Sequence, residues 1–384
     1  MTTGSQAYQK SVNLSLIMRA LRHHPGISRT EIAAQTGLTK STVTNLVREL
    51  RERDLVQETH PEQRPNGTSG GRPRVGLHVA AGRHRIAGIE LRPEGFDAVI
   101  HDLAGGTLDT YRGFQPGRRL TLRAAFGQAL DAVSADHPTL TGMGVALPAT
   151  VDPLRGVILD SASFGIDETA FRDVADVPAD LPILLENDAN AVAWGAVGSE
   201  SARPVGDLLA VVARLGEPDR RPIRVGTGLV VNGRVYHGSD FSAGEFHSAA
   251  WRRGDPGEVS GASQGELRRA LRELLESLGV AVSMLRPRRL VYAGDLVERG
   301  ELIASLLREE LAGSFIDPHV SGCPLEAAGE GALAVASGAS AMFRERLFAV
   351  PTVDTPQPRE LPRWERMGIT TGAGVNLRKS EVAG

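Results

Sequence analysis

Residues 28–53 read SRTEIAAQTGLTKSTVTNLVRELRER, and this stretch predicts a helix-turn-helix. Ser28 and Glu31 have the spacing of a capping box, in which each side chain accepts a hydrogen bond from a free backbone amide at a helix start. They predict a short helix over Arg29–Gln35. The next residues, Thr36-Gly37-Leu38, predict a tight turn, because glycine readily takes the left-handed conformation after a helix.

A second helix is expected to begin after Thr39, a good N-cap residue, and to run to about Arg53. Its apolar residues have the i, i+3, i+4, i+7 spacing of one buried face: Val43, Leu46, Val47 and Leu50. The opposite face carries short hydrogen-bonding and basic side chains: Lys40, Ser41, Thr42, Thr44, Asn45 and Arg48. Such side chains can reach base edges and phosphates in a major groove. We therefore predict that this helix binds DNA, the alternative being an ordinary helical hairpin.

A small N-terminal domain with a wing is expected around this motif. A first helix is predicted from the apolar spacing of Leu14, Ile17, Met18 and Leu21. Two predicted strands, Leu55–Glu58 and Arg74–Val79, flank a segment at 61–71 that is rich in Pro, Gly, Asn and Ser, which is typical of a wing. At its edge, Arg72 and Arg74 are candidates for a narrow, negative minor groove. The alternative is a linker with two solvated arginines.

Charge is unevenly distributed along the chain. Residues 1–80 carry 11 Lys and Arg against 6 Asp and Glu, a net charge of +5, whereas residues 81–384 carry 32 against 40, a net charge of −8. A basic head on an acidic body suits contact between the head and nucleic acid. Chance scatter of charges is the alternative explanation.

Composition excludes several classes of protein. The 384 residues are enough for two or three domains, and with only 4% aromatic residues the core must be mostly aliphatic. The single cysteine, Cys323, rules out an internal disulfide and a multi-cysteine zinc site. No segment reaches the roughly 20 apolar residues of a membrane span, and the N-terminus lacks a signal-like apolar run, so we expect a cytoplasmic protein.

From about residue 84 the predicted strands and helices alternate, which indicates an α/β body with a largely parallel sheet. Predicted strands are Ile86–Leu91, Ala98–Leu103, Thr141–Leu147, Pro182–Leu185, Leu208–Val212, Leu229–Val231 and Arg289–Tyr292. Predicted helices are Leu120–Val133, Leu267–Met284, Leu302–Leu311 and Gly331–Phe343. Residues 349–384 are rich in Pro, Gly, Thr and charge, and a disordered tail is expected there.

Three stretches of the body carry a family pattern. They read GMGVALPATVD at 142–152 with GVILDS at 156–161, LLENDANA at 184–191, and VNGRVYHG at 231–238 leading into Ala243-Gly244-Glu245. In these motifs the chain resembles the ROK family of repressors, open reading frames and kinases, over roughly residues 84–345. The resemblance implies a two-lobed, actin-like sugar kinase fold behind a winged helix-turn-helix. The expected divisions are 1–80 for the DNA-binding domain, 81–200 and 201–348 for the two lobes, with the C-terminal helix returning to the first lobe.

The resemblance also implies a sugar site in the cleft between the lobes. Asp188 matches the family's catalytic base, and a carboxylate there can accept the proton or a hydrogen bond of a sugar hydroxyl. Asn187 and Glu245 match sugar contacts, although Asn187 and Asp188 also fit an Asx turn after a strand. His247 is a further candidate ligand contact or a plain surface histidine, and Ser163 lies near a position where relatives often have a sugar-binding Asn.

The chain departs from the kinases of this family at both phosphate-binding segments. The first, Asp-x-Gly-Gly-Thr in kinases, is replaced by Glu90-Leu91-Arg92-Pro93-Glu94. A phosphate cradle needs small residues with free amides, which bulky Arg92, Pro93 and acidic Glu94 do not supply. By spacing from Asn232-Gly233, the second segment falls on Pro222-Ile223-Arg224, and Gly226-Thr227-Gly228 fits the following glycine pair better than a shifted loop. ATP binding and kinase activity are therefore not expected, and no cofactor is predicted.

The family's zinc site is also absent from the sequence. Family members commonly hold zinc with one His and three Cys after the Gly-Glu pair, but residues 251–265 contain no cysteine. We therefore predict no metal.

These observations together predict a transcriptional regulator that binds an operator as a homodimer or homotetramer and senses a sugar without phosphorylating it. We expect by default that the protein represses transcription and that the sugar relieves this repression. One alternative is a regulator without a sugar ligand that acts through dimerisation or a partner protein. The other is an active sugar kinase with a DNA-binding head.

Overall fold

The computed structural model of the chain describes residues 6–59, 75–115, 117–198, 206–214, 224–245, 264–297, 300–302, 305, 323–351, 364, 367 and 375–377. In these residues an N-terminal head is followed by two lobes, each built on a five-stranded sheet. The wing tip at 60–74, which includes Arg72 and Arg74, lies outside the described residues, as do His247 and most of the expected helix Leu302–Leu311.

The head is a winged helix-turn-helix. Its elements are α1 (Gln6–His23), α2 (Arg29–Thr36), α3 (Lys40–Glu52), β1 (Val56–Thr59) and β2 (Gly76–Val79). The strands pair antiparallel, with Val56 opposite Val79. The predicted capping box forms at Ser28 and Glu31, and Gly37 takes a left-handed φ of 71° after α2. The predicted helix-turn-helix is therefore confirmed in its local geometry.

The first lobe contains a five-stranded sheet in the order β11-β7-β3-β4-β5 and a small sheet of β8, β9 and β10. Its strands are β3 (Arg85–Arg92), β4 (Gly95–Asp102), β5 (Thr107–Phe114), β6 (Thr139–Leu140), β7 (Gly142–Leu147), β8 (Thr150–Asp152), β9 (Val157–Ser161), β10 (Ile166–Ala170) and β11 (Ile183–Asn187). Its helices are α4 (Leu122–Asp136), α5 (Phe171–Ala175) and α6 (Asp188–Gly198). An aliphatic core lies between the large sheet and α4.

The second lobe contains a sheet in the order β14-β13-β12-β15-β16. Its elements are β12 (Leu208–Arg214), β13 (Arg224–Val231), β14 (Arg234–Tyr236), α7 (Gln264–Leu285), β15 (Arg289–Gly294) and β16 (Leu325–Ala327). A 3-10 turn at Gly331–Leu333 then leads into α8 (Ala334–Phe348). Both large sheets are mixed, because the hairpins β3–β4–β5 and β12–β13–β14 are antiparallel. The expectation of a largely parallel sheet is therefore corrected.

Helix α8 packs backbone to backbone against two neighbours. A Cβ atom on Gly338 would lie 1.9 Å from the carbonyl oxygen of Ala191 in α6, and one on Gly88 of β3 would lie 2.0 Å from that of Ala336. A Cβ on Gly144 of β7 would likewise lie 1.9 Å from the carbonyl oxygen of Ala339. Glycine is required at these positions, and it brings α8 against both α6 and the first sheet.

The head and the body share one hydrophobic cluster. Leu14 and Leu21 of α1 and Val47 of α3 are buried in the same cluster as Phe343 and Leu347 of α8. Arg22 of α1 makes an ion pair with Glu345 and lies 5.1 Å from the ring centroid of Phe348. The head is therefore joined to α8 by packing as well as by charge.

Parts of the expected C-terminal tail are packed on the domains. Trp364 is buried with its ring 5.1 Å from that of Phe348, and its carbonyl oxygen accepts a 2.8 Å hydrogen bond from Arg53. Residues Val375–Asn376 form β17, which pairs with β6, and Leu377 is buried in the first-lobe core. The expectation of disorder is corrected at these residues, because isolated apolar side chains in a polar segment have a core to enter. Met367 is buried in the cluster shared by the head and α8, and the rest of 352–384 lies outside the described residues.

Candidate DNA interface and ligand cleft

The polar face of α3 points to solvent. Lys40, Ser41, Thr44, Asn45 and Arg48 are exposed, and Thr42 is half-buried. On the other face Val43, Val47 and Leu50 are fully buried, whereas Leu46, also predicted to be buried, is half-buried. The predicted division of the helix into a buried face and an exposed polar face is therefore present, and the contact of this face with DNA stays a prediction.

Several of these polar groups already make local hydrogen bonds. The Oγ1 atom of Thr39 caps α3 by accepting from the amide of Thr42, and it also lies 2.9 Å from the hydroxyl of Ser41. The Arg48 guanidinium donates to Oδ1 of Asn45 at 3.2 Å. Asn45 and Arg48 thus lie together on the exposed face, where they can contact neighbouring base edges or phosphates.

A polar cleft lies between the two lobes. It has a volume of about 170 Å³ and includes residues from both lobes. Its polar lining consists of Arg92, Thr150, Asp160, Ser161, Ser163, Asn187, Asp188, Arg214 and Glu245. The structure thus brings together three of the four predicted ligand contacts, and Ser163 with them; the fourth, His247, lies outside the described residues.

Asn187 and Asp188 stand at the start of α6. Oδ1 of Asn187 accepts from the amides of Ala189 and Asn190 at 2.9 and 3.1 Å, and Nδ2 donates to the carbonyl oxygen of Ala149 at 3.0 Å. Asn187 therefore caps the helix, as the Asx-turn alternative anticipated. Asp188 is 8% exposed, and its Oδ1 accepts from the amide of Ala189 at 2.8 Å. Both residues line the cleft.

Glu245 crosses the cleft from the second lobe to the first. Its Oε1 accepts a 3.1 Å hydrogen bond from the hydroxyl of Thr150. The loop that carries it is held to β13 by Thr227, whose amide and hydroxyl both donate to the carbonyl oxygen of Gly244, at 3.1 and 2.6 Å. A carboxylate held in this way can accept hydrogen bonds from the hydroxyls of a bound polyol.

An ion network lies at the end of β3, in the segment expected from the resemblance to correspond to the first phosphate-binding loop of the kinases. Glu90 is fully buried and makes an ion pair with Arg214, which joins β3 of one lobe to β12 of the other. The Nε atom of Arg92 lies 3.6 Å from the same carboxylate oxygen, and its Nη2 donates to Asp97 at 2.6 Å. Burial raises the pKa of Glu90, but Arg214 and Arg92 outweigh that effect and hold it below its usual value. Paired charges therefore fill this end of β3, where it meets β12 of the second lobe.

The second glycine segment lies within a strand. Gly226 pairs with Val212 and Gly228 with Ala210 in the β12–β13 ladder. A Cβ on Gly228 would lie 2.4 Å from the carbonyl oxygen of Ala189, so this glycine lets β13 pass close to the start of α6. In this register Gly226-Thr227-Gly228 is no hairpin turn. The connection between β12 and β13, at 215–223, lies outside the described residues.

A second buried carboxylate, which the sequence did not single out, lies behind the cleft. Glu186 is fully buried; its Oε2 lies 2.9 Å from Nε2 of His237 and accepts from the Trp194 indole at 3.2 Å. Its Oε1 accepts from the amide of Asn187 at 3.0 Å. Burial raises the pKa of Glu186, but His237, the Asn187 amide and Trp194 together lower it below its usual value. The contact between Glu186 and His237 therefore joins strand β11, which precedes Asp188, to the loop that precedes Glu245.

We expect acid to destabilise the parent protein more steeply than a Glu186→Gln variant. Because the pKa of Glu186 is lowered in the folded state, its ionised form contributes stability above the unfolded carboxyl pKa of about 4.3. That contribution is lost as the pH falls through the lower folded-state pKa. Urea unfolding midpoints between pH 7 and pH 3.5 measure this, and parallel pH profiles for parent and variant would contradict it.

The described residues show neither a membrane-spanning helix nor a metal cluster. No helix in that part of the chain is long and apolar enough to cross a membrane. No group of three or more His, Cys, Asp or Glu side chains there is placed to hold a metal ion. Of the segment 251–265, in which the family resemblance implies zinc ligands, only residues 264 and 265 are described, so the absence of metal stays a prediction from the lack of cysteine.

Comparison with known families matches two parts of the chain. Residues 15–64 match the MarR family model, and residues 86–262 match the ROK family model. Among curated proteins, the xylose repressor of Caldicellulosiruptor bescii is 25% identical over 249 residues, covering 63% of this chain and 59% of its own length. The xylose repressor of Bacillus subtilis is 24% identical over 310 residues, covering 79% of this chain and 77% of its own length. The chain thus spans less than two thirds of the first of these relatives.

Solved structures show the same fold. A ROK family transcriptional regulator, a homologue of the Escherichia coli MLC protein, superposes with a TM-score of 0.65 at 16% identity, covering 89% of this chain and 97% of its own. A ROK family glucokinase from Streptomyces griseus, in complex with glucose and AMPPNP, gives 0.52 at 20% identity, covering 67% of this chain and 98% of its own.

The fold is therefore that of a winged helix-turn-helix joined to a sugar kinase-like body. The chain carries a MarR-type helix-turn-helix domain followed by a ROK-family domain.

Proposed function

We propose that this protein is a DNA-binding transcriptional repressor whose body senses a sugar without phosphorylating it. The observation that carries the proposal is the exposed polar face of α3, presented by a MarR-type domain whose core continues into α8 of the body. The names of the relatives, two of them xylose repressors, support the same assignment. The described site offers paired charges where a kinase would hold phosphates, which supports sensing without phosphoryl transfer.

A physical connection runs from the cleft to the head. Asp188 begins α6, α6 packs on α8 at Gly338, and α8 enters the hydrophobic cluster of α1 and α3. A sugar that binds the closed cleft more tightly than the open one shifts the equilibrium by that difference in affinity. Movement of α8 with the lobes would change how two heads are spaced on a palindromic operator. We propose that the sugar releases the operator in this way.

A regulator without a sugar ligand is the second candidate. It is favoured by Asn187, whose side chain caps α6 and bonds to Ala149, so one expected sugar contact already has a structural role. Selection of bound DNA from a random pool, repeated with a panel of sugars, separates the two candidates. Enrichment of one sequence that any sugar reduces supports the sensor. Enrichment that no sugar changes supports the second candidate, and no enrichment refutes DNA recognition.

Kinase activity has its own test. Coupled measurement of ADP release across common hexoses is expected to give no signal above the rate without protein. Turnover with any of them would refute the proposal that the body senses without phosphorylating.

Arg48→Ala is expected to weaken operator binding by about 1–3 kcal/mol if the side chain contacts a base. Arg48 is exposed on α3, so the loss comes from the interface and not from the fold. Fluorescence anisotropy with the selected operator measures the affinity. Arg234→Ala, which removes an exposed arginine from β14 of the body, is the matched control and should bind as the parent does. Equal affinity for all three proteins would show that Arg48 is not among the residues that contact the operator.

A further inference from the structure

Two arginines, one from each lobe, line the cleft. Arg92 ends β3 of the first lobe, and Arg214 ends β12 of the second. Both side chains are largely buried, with 16% and 13% of their side-chain surface exposed, and both line the cleft beside Asp188 and Glu245. They converge on a single oxygen of Glu90, which brings the two guanidinium groups close together.

The hydrogen-bonding capacity of these arginines is not used up. The Nε atoms of Arg92 and Arg214 are buried and have no hydrogen-bond partner among the described residues. These two atoms are inaccessible from the cleft, so a bound acceptor would contact the Nη groups of the same guanidiniums, and Nη1 of Arg92 has no hydrogen-bond partner among the described residues. Guanidinium groups match the geometry of carboxylate and phosphate oxygens, which they bind through paired N–H donors.

The network around the arginines is close to neutral. The guanidiniums of Arg92, Arg112 and Arg214 face the carboxylates of Glu90, Asp97 and Asp295, three charges of each sign. Attraction for an anion must therefore come from direct contact with N–H donors and not from a long-range positive potential. A bare anion would therefore gain little from this network. An anionic group on a molecule that also binds elsewhere in the cleft would be held against the N–H donors by those other contacts.

The remaining lining supplies that second set of contacts. Asp160, Asp188 and Glu245 are carboxylates, which accept hydrogen bonds from hydroxyl groups and repel a bare anion. One molecule that satisfies both sets carries several hydroxyls and one acidic group. A neutral sugar would use the carboxylates and leave the arginine donors unpaired.

We propose that the effector is an acidic sugar, with its hydroxyls on Asp188 and Glu245 and its carboxylate or phosphate on Arg92 and Arg214. This inference rests on the proposed sugar-sensing function and narrows it to one chemical class. A sugar acid and a sugar phosphate share the chemistry that the arginines recognise, and binding measurements distinguish them.

The test is isothermal titration of the full chain with matched ligands. Each of several pentoses and hexoses is compared with its uronate and its terminal phosphate, and inorganic phosphate and sulfate serve as bare anions. The acidic form of one sugar is expected to bind at least about tenfold more tightly than its neutral parent, a difference of about 1.4 kcal/mol. The bare anions are expected to bind weakly or not at all.

Variants of the same ion network separate a subsite from a structural role. Arg92→Gln is expected to remove most of the advantage of the acidic sugar while leaving the affinity for the neutral sugar unchanged. Arg112→Gln is the matched control: it removes the other guanidinium that pairs with Asp97 but does not line the cleft, so the advantage should persist. If Arg92→Gln does not fold properly, Arg92→Lys is used in its place. Because lysine retains the charge but not the paired N–H donors, this variant should retain only part of the advantage of the acidic sugar.

The outcomes distinguish this inference from the function on which it rests. Binding of a neutral sugar with no advantage for its acidic forms would overturn the acidic subsite and leave the sugar sensor standing. Equal effects of Arg92→Gln and Arg112→Gln on that advantage would also overturn the subsite. If no sugar of either class binds or changes operator affinity, both the acidic subsite and the proposed sugar-sensing function are refuted.

Discussion

Asp188→Asn should raise the sugar concentration that releases the operator by roughly 10- to 150-fold, while leaving operator affinity in the absence of sugar within about twofold of the parent. Asp188 lines the cleft, and Oδ1 accepts from the amide of Ala189, a bond that asparagine can keep. What is lost is the charge and the second acceptor oxygen. Hydrogen bonds to charged groups are worth about 1.5–3 kcal/mol, so ligand affinity should fall by roughly 10- to 150-fold. Anisotropy titration of labelled operator with increasing sugar measures the response.

The matched control is Asp131→Asn, which removes an exposed carboxylate from α4 of the same lobe. This variant should release the operator at the same sugar concentration as the parent. Release of the operator by Asp188→Asn at that concentration would contradict the placement of the ligand on Asp188. Loss of operator binding without sugar would show instead that the substitution disturbs the head.

Gly338→Ala is expected to lower the free energy of unfolding by about 3 kcal/mol, the upper part of the range for overpacked cores. The new Cβ would lie 1.9 Å from the carbonyl oxygen of Ala191, and backbone atoms cannot move aside as the end of a flexible side chain does. Helices α6 and α8 would have to separate. The urea midpoint of the parent and the variant, followed by circular dichroism, measures the difference.

Gly127→Ala is the control for the general effect of replacing a helical glycine. Gly127 lies within α4, and a Cβ there would meet nothing within 4 Å. Alanine is favoured over glycine inside a helix by about 0.8–1.0 kcal/mol, so this variant should be slightly more stable than the parent. A shift of the same sign and size in both variants would refute the close packing of α6 and α8.

Local sequence signals predicted the head well. The capping box at Ser28 and Glu31, the glycine at 37 and the apolar spacing of α3 each act within a few residues, and each is present in the structure. The motif around Asn187 and Asp188 also located one wall of the cleft, because a strand followed by a helix start fixes where those side chains emerge. The winged head and the ROK body, expected from resemblance, are confirmed by the family matches.

Features that depend on distant pairs were not predictable from local patterns. Glu90 and Arg214 are 124 residues apart, and Glu186 and His237 are 51 apart. No spacing rule links such residues, since only the folded topology brings the end of β3 in one sheet close to the end of β12 in the other. The burial of Trp364 and Leu377 was missed for a related reason: composition averaged over a polar segment hides single apolar side chains that reach a core.

The Glu90–Arg214 ion pair sets the minimum change needed to engineer a phosphate-binding loop into this body. A glycine-rich loop placed at 92–94 would remove Arg92, one of the two guanidiniums that offset a carboxylate with no solvent exposure. Removing a partner from a buried charge destabilises a fold. An engineered loop in the first lobe would therefore have to be accompanied by changes at Glu90 and at Arg214, which lies in the second lobe.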